Sequence, residues 1–490
     1  MSCGNVPDGQ ADSEEGQALM TPVTPKANKA RSDKYGFSRP PRQAGDVAVA
    51  VSGGAGSMAM LDMLLHHGYI GKGDGKTADL TKGEREVLWD KGTVVYVEFA
   101  GVTGMEDRME VMRTLAEEKG LGFVGLRAEE AFDSTLGERL GTPATSPGGI
   151  AVDLSNPSLP ILDLPSTTSP ATASAPDPLL RLQTLLASLP APSRPALLTH
   201  ILSHLLNLAA YSIPNVSHLL IGETSTREAQ RVISGTALGR GWALPLELAA
   251  ATPLPAPDTE TASDPAPATS DVPALNSTPA SAPAPVAVNP ITRLKPMKDV
   301  TLKEAALYCH LRGLPTVNHR KWTSEAGGGS DARGKGVHTI ESLTEAFIAG
   351  LDVTHPATVS TINKTGDKLV FTGDSHSLPG PENRCPVCQT PAEPSAQAWK
   401  SRTALTSLPG KTKSIESAVA DNTEDHPGPV ELAPMLCYSC LTTFTPSSIR
   451  KGADKGEPAY LPQWVAESVR REVPREEMRA GISGFLLDGE

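Results

Sequence analysis

The sequence predicts an α/β protein: a doubly wound parallel sheet, a small C-terminal module built on four cysteines, and long disordered inserts. Three observations predict this. Short, apolar, β-branched runs alternate with helical segments through the first part of the chain. Two C-x-x-C pairs, Cys385/Cys388 and Cys437/Cys440, stand towards its end. The 490 residues hold 44 Pro and 44 Gly against 8 Phe, 5 Trp and 7 Tyr, so much of the chain lacks the side chains that fill a core.

Residues 1–44 read as a disordered arm, acidic at first and basic from Lys26 to Arg42. The first strand is DVAVAV, Asp46–Val51, a continuous apolar run suited to burial on both faces. A helix follows at Ser57–His66, then a Gly/Lys-rich loop over 68–92 and a second strand, TVVYVEF, at Thr93–Phe99. Met105–Lys119 has helical spacing, with Met109, Met112, Leu115 and Ala116 on one face, and a third strand is expected at Gly122–Leu126. A short helical patch at Leu179–Leu186 precedes the strongly apolar helix Pro195–Tyr211, with Pro in its first turn. His218–Thr224 is the fourth strand, and a helix runs from Thr226 to Thr236.

Two inserts interrupt this domain, which spans 45–322. One covers 141–178, and the other, 251–290, holds 10 Pro and 10 Ala. Order resumes at Ile291. Thr301 and Glu304 form a capping-box signature ahead of AALYCHLRGL. Residues 323–337 are a flexible insert, and 338–450 form the C-terminal helical and cysteine module with its own disordered insert, 391–430. Within that module Thr339–Leu351 is a helix, while Val359–Thr365 and Lys368–Gly373 read as short strands or extended segments. A tail, 451–490, ends in GFLLDGE and could dock on a partner.

The net charge of −12 excludes a histone-like polycation but not local basic patches. No apolar run is long enough for a membrane span, and the N-terminus lacks an apolar signal core. Six cysteines, four of them in C-x-x-C pairs, suit metal binding in a reducing compartment, so a cytoplasmic location is expected. Cys3 is the one cysteine of the arm, and no Cys-rich N-terminal module is expected.

Ser52-Gly53-Gly54-Ala55-Gly56-Ser57 joins the first strand to a helix. Glycines allow backbone N–H groups to approach an anion, and the helix N-terminus adds positive potential. No Lys follows the glycines, so this is not a Walker loop. The bland alternative is a tight turn that binds nothing. SGGAGS after VAVAV resembles the PP-loop of ATP pyrophosphatases, S-G-G-x-D-S, with Gly56 in place of the Asp. Gly222-Glu223-Thr224-Ser225-Thr226-Arg227 stands where thiolation enzymes of that superfamily carry G-H-N-x-D-D, and both aspartates are missing.

Four stretches together resemble the cytoplasmic tRNA 2-thiolation protein 2 family. They are LLIGETSTREAQRVISGTALGRGWALPLE, Arg293–Val317, Ala357–Thr365 and the paired C-x-x-C motifs.

The cysteine pairs are separated by residues 389–436. Two knuckles of this kind supply four thiolates for tetrahedral Zn²⁺, and a long intervening loop adds little closure entropy. A structural zinc site at Cys385, Cys388, Cys437 and Cys440 is expected, with a redox pair or unliganded thiols as alternatives. No cysteine lies between Cys3 and Cys309, and Cys309 itself reads as a small core residue. His200 and His204 share a helix face but lack an acidic third ligand, so a packed or solvated pair is expected.

Residues 291–322 carry Arg293, Lys295, Lys298, Lys303, Arg312, Arg320 and Lys321 against Asp299 and Glu304. A solvated helix face is one reading, and phosphate contact is the other. The resemblance favours contact with tRNA, adding Arg227 and Arg240 as candidates for tRNA or a partner.

The resemblance implies an adenine nucleotide alpha hydrolase-like fold and a partner subunit of the wobble-uridine thiolase. Such subunits form a heterodimer with a catalytic PP-loop homologue. The complex adenylates the C2 oxygen of U34 in tRNAs for Lys, Glu and Gln. Sulfur is then inserted from a thiocarboxylated ubiquitin-related modifier, the carrier of protein urmylation. Ser52, Gly53, Gly54 and Ser57 would be a degenerate anion cradle, with ATP as its candidate ligand, and no catalytic residue is expected. Alternatives are an independently active ATP pyrophosphatase that adenylates tRNA, and a zinc-knuckle adaptor with no nucleic-acid role. No membrane partner is expected.

Overall fold

The computed structural model describes residues 45–71, 87–141, 149–163, 177–255, 290–317, 339–369, 384–393, 395–403, 430–445 and 458–469. The expected N-terminal arm, the 323–337 insert, Arg320, Lys321 and the GFLLDGE tail lie outside these residues.

Six strands form the main sheet: β1 (Asp46–Ala50), β2 (Gly92–Glu98), β3 (Gly122–Arg127), β6 (Val216–Ile221), β7 (Ala251–Pro253) and β8 (Thr292–Leu294). Their order is β3-β2-β1-β6-β8-β7. Every pairing is parallel except that of the edge strand β7 with β8. The helices that position the functional residues are α1 (Ala55–His66), α2 (Met109–Glu118), α3 (Pro178–Ser188), α4 (Arg194–Ser212), α5 (Ser225–Ala237), α6 (Leu302–Leu311), α7 (Ile340–Thr354), α8 (Pro356–Gly366) and α9 (Tyr438–Phe444).

The strand β1 shows why the sheet is covered twice. Val47 and Val49 pack on one face with α1, α2 and α6, and Ala48 and Ala50 pack on the other with α3 and α4. A strand buried on both faces needs no polar alternation, as its sequence shows. The chain winds outward from β1 to β3, then returns to place β6 on the other side of β1. The resulting switch point lies between β1 and β6, where ligands of open α/β sheets usually sit.

The expected capping box is present: Thr301 Oγ1 accepts from Glu304 N, and Thr301 N donates to the Glu304 carboxylate at 2.8 Å. Val359–Thr365 differs from expectation. It belongs to the helix α8, which opens on Pro356. Its β-branched residues suggest a strand, but Val359 and Ile362 share a helical face that packs with Ala229 and Ile233 of α5. Tertiary packing overrides local propensity here.

Three segments expected to be disordered inserts, 141–178, 251–290 and 391–430, contain ordered residues, the second opening on β7. Within 141–178, β4 (Ala151–Val152) and β5 (Ile161–Asp163) form a small sheet with β9 (Ala459–Tyr460) of the tail. Ile150, Val152 and Leu159 are fully buried there, as are Val465 and Val469 from a helical stretch at 463–469. Within 391–430, Ala396–Thr403 is helical. Sparse apolar residues among Pro and Ser suffice because each is clasped by another part of the chain. Leu461 N donates to Ile150 O at 2.9 Å, and Ile161 N donates to Val430 O at 2.9 Å. No helix among the described residues is long and apolar enough to cross a membrane.

Candidate anion loop and tetracysteine centre

The loop after β1 turns at Gly53, whose φ of +83° is the left-handed region that glycine adopts without strain. Gly54 caps α1 with extended backbone and no side-chain cap. Ser57 Oγ donates to Gly54 O at 3.0 Å and lies 3.3 Å from Ser52 Oγ. The four residues Ser52, Gly53, Gly54 and Ser57 are thus gathered at the switch point. The segment after α6 crosses this loop, with Val317 N donating to Gly53 O at 2.8 Å. Cys309 lies beneath it, its Sγ 3.4 Å from Ala55 O, and burial followed by the nearby Asp62 charge pushes its thiol up to about 11. A thiol so raised is a weak nucleophile at neutral pH.

Gly56 is held against the end of β6. A Cβ on it would collide with the Gly222 carbonyl oxygen and would meet Thr224 Cγ2 at 2.9 Å. Reciprocally, a Cβ on Gly222 would meet Ser57 N at 2.6 Å. Backbone therefore fills the space in which a side chain at position 56 would stand. Thr224 Oγ1 beside it is buried with no hydrogen-bond partner among the described residues.

Behind β6 lies a buried ion cluster. Lys295 bonds Glu223 at 2.9 Å and Glu228 at 2.5 Å and donates to Glu247 O, while Arg231 also pairs with Glu223. Burial alone would raise Glu223, but Arg231 and Lys295 outweigh it and hold the carboxyl low, at about 2. Burial and then the Glu223 charge push Glu228 up to about 7.

Several of the candidate tRNA or partner contacts already have partners within the chain. Lys295 is 4% exposed and consumed by two carboxylates. Arg293 is turned inward to Asn207 Oδ1 at 2.7 Å and Ser203 Oγ at 3.4 Å. Arg240 pairs with Glu247, and Lys298 with Asp367 and Leu248 O. A cation already matched inside the fold has little left to offer a phosphate. Arg227 ties α5 to α7 through Glu345 at 3.4 Å, and Arg312 reaches Asp62 at 3.2 Å. These last two are partly exposed.

Cys385, Cys388, Cys437 and Cys440 converge, with all four Sγ atoms within 4.8 Å of one another. Cys388 Sγ and Cys437 Sγ are 3.8 Å apart, too far for a disulfide. A tetrahedral ion with bonds of about 2.3 Å to sulfur requires S···S edges of about 3.8 Å. The donor set therefore fits such an ion. His200, paired with His204 by sequence, instead faces the cysteines: its Nε2 lies 3.8 Å from Cys440 Sγ, and burial and then Arg240 lower its imidazole to about 4. Only the fold brings residue 200 to residue 440. His204 stacks on Trp464, ring centroids 4.2 Å apart, so the two histidines pack separately and are not a metal pair.

The family model for cytoplasmic tRNA 2-thiolation protein 2 matches residues 339–442, the stretch that holds α7, α8 and all four cysteines. A Danio rerio protein of that name is 25% identical over 90% of this chain and 85% of its own length. The chain is similar to the cytoplasmic tRNA 2-thiolation protein 2 family in its cysteine-bearing region and, at low identity, along most of its length. A Xenopus laevis member is 25% identical over 59% of this chain, and the chain spans about half of it, 51%. The Schizosaccharomyces pombe member is 24% identical over 47% of this chain and 44% of its own length. Among solved structures, a U34-tRNA thiolase from Methanococcus maripaludis with its 4Fe–4S cluster matches at 14% identity and TM-score 0.34. That match covers 71% of this chain and 81% of the other.

Proposed function

We propose that this chain is a cytoplasmic tRNA-binding subunit of the U34 2-thiolation machinery and works with a catalytic PP-loop homologue. One observation carries the reading of a non-catalytic partner: the switch-point loop keeps its turn and its two serines, yet the position of the PP-loop aspartate is closed by the Gly222 carbonyl. No cysteine stands between Cys3 and Cys309 to carry sulfur within the α/β domain. Both a carboxylate to organise metal and phosphate and a thiolate to hand on sulfur would then come from the partner.

In this reading the partner activates the C2 oxygen of the wobble uridine with ATP. The sulfur of a thiocarboxylated ubiquitin-related carrier attacks C2 and displaces AMP, and water then cleaves the carrier's C–S bond, leaving the sulfur on the uridine and returning the carrier as its carboxylate. This chain contributes surface for tRNA, chiefly Arg227, Arg312, Arg320 and Lys321, and a zinc-bound module at Cys385, Cys388, Cys437 and Cys440. The orphan Thr224 hydroxyl supports an anion held at Ser52, Gly53, Gly54 and Ser57 without turnover.

Purified chain, its co-purified partner and the two together would be incubated with ATP, the sulfur carrier and tRNA. Thiolation by the pair and by neither alone is expected. Thiolation or AMP release by this chain alone would return it to the enzymes.

A further inference from the structure

The turn Gly239-Arg240-Gly241 is where the α/β domain meets the cysteine module. Gly239 has φ +74°, and a Cβ on it would run into the Tyr438 ring. Tyr438 belongs to the knuckle between Cys437 and Cys440, so the bare glycine lets the turn press directly on the sulfur site. Arg240 is thereby set behind the sulfurs. Its Nη2 pairs with Glu247, and its Nη1 lies 3.4 Å from His200 Nε2, which in turn faces Cys440 Sγ at 3.8 Å. His200 is 6% exposed, and the Arg240 side chain 15%.

Four thiolates around a divalent ion leave a net charge of −2. Buried charge of that size persists only with hydrogen-bond donors and cations close by. Two sulfurs have local donors: Cys440 N donates to Cys437 Sγ at 3.5 Å, and the Thr390 hydroxyl lies 2.9 Å from Cys388 Sγ. Cys440 Sγ instead faces His200, with Arg240 behind it.

We propose that Arg240 is a positioning residue of the metal centre, supplying the compensating positive charge across His200, whose ring packs between the guanidinium and Cys440. Metal affinity of the C-terminal module is then set in part by a residue of the α/β domain. This rests on reading the four cysteines as a metal site.

The test is zinc affinity of the full-length protein, measured by competition with a chromogenic chelator. Arg240→Met lowers the affinity about 10-fold or more, the usual size of an outer-sphere loss. Arg240→Lys, which keeps the charge, stays near the parent value. Glu247→Gln removes a carboxylate from the same guanidinium and raises the affinity. The ligand-field bands of bound Co²⁺ in Arg240→Met stay those of a tetrahedral thiolate site, showing the ligand set intact. Unchanged affinity in Arg240→Met overturns the proposal, as does an equal fall in Arg240→Lys, which would assign the effect to packing. If Arg240→Met does not fold, Glu247→Gln decides: a fall or no change overturns the proposal. Parent protein that binds no zinc defeats the metal reading itself, a distinct outcome.

Discussion

The Gly222 carbonyl oxygen occupies the space that a side chain on Gly56 would need. The two glycines bring the first turn of α1 and the end of β6 into backbone contact at the switch point of the sheet. The absence of a side chain at position 56 is therefore built into the packing. A carboxylate there would require the loop and β6 to move apart.

Gly56→Ala and Gly56→Asp are accordingly expected to destabilise the protein rather than restore chemistry. Overpacking against backbone costs about 1–3 kcal/mol for Ala, and Asp adds the desolvation of a charge. Urea denaturation of the two variants beside the parent measures this. Gly56→Asp at parental stability would show that the space exists after all.

Lys295 shares its charge between Glu223 and Glu228, and the two carboxylates respond to pH in opposite senses. Glu228 is raised from 4.5 to about 7, so the folded state holds its proton more tightly than the unfolded chain. Its contribution is present below about 4.5 and is lost as pH rises through about 7. Glu223 is lowered to about 2, so its contribution is present above 4.5 and is lost as pH falls towards 2. Glu228→Gln should flatten the loss of stability between pH 5 and pH 8, by an amount on the order of 1–3 kcal/mol. Lys295→Met leaves buried carboxylates uncompensated and should cost about 3–5 kcal/mol. Thermal unfolding across pH distinguishes the two variants, and an unaltered profile in Glu228→Gln would refute the assignment.

The parts of this fold that were legible in the sequence are those whose signals are local. Val47 to Val51 announce a doubly buried strand by composition alone, Thr301 and Glu304 announce a helix start, and the cysteine spacing announces a four-sulfur site. What was not legible depends on distant partners. Lys295 looks like a surface cation until β6 and α5 bring Glu223 and Glu228 to it. Leu159 lies among Ser, Asn and Pro, and its burial comes from segments far along the chain, with Leu432 N donating to its carbonyl at 3.1 Å. Charge counting along a sequence cannot tell a matched cation from an exposed one.

The four cysteines are expected to hold more than their own module. Val387, between Cys385 and Cys388, accepts the Trp464 indole N–H at 3.1 Å, and Gln389 bonds Ser468 at 3.0 Å. Stripping the metal, or Cys440→Ser, should therefore raise amide exchange at 384–393 and at 459–469 together, leaving β1 and β2 protected. Exchange confined to the cysteine knuckles would show that the tail is held by other contacts.

His204 and Trp464 supply the last of these links, stacked with ring centroids 4.2 Å apart. Burial lowers the His204 imidazole from 6.5 to about 4, so the fold keeps it neutral while the unfolded chain takes up a proton. The sign follows: the folded state binds fewer protons, so stability from this residue is full above 6.5 and is lost as pH falls towards 4. His204→Leu removes that acid sensitivity while keeping an apolar contact, and should shift the acid unfolding midpoint to lower pH. Trp464→Ala deletes a buried indole with its hydrogen bond to Val387 and should cost about 3–5 kcal/mol at neutral pH. The order of the two effects is the check. If His204→Leu destabilises at neutral pH as much as Trp464→Ala, the ring is held by specific polar contacts and the stacking account fails.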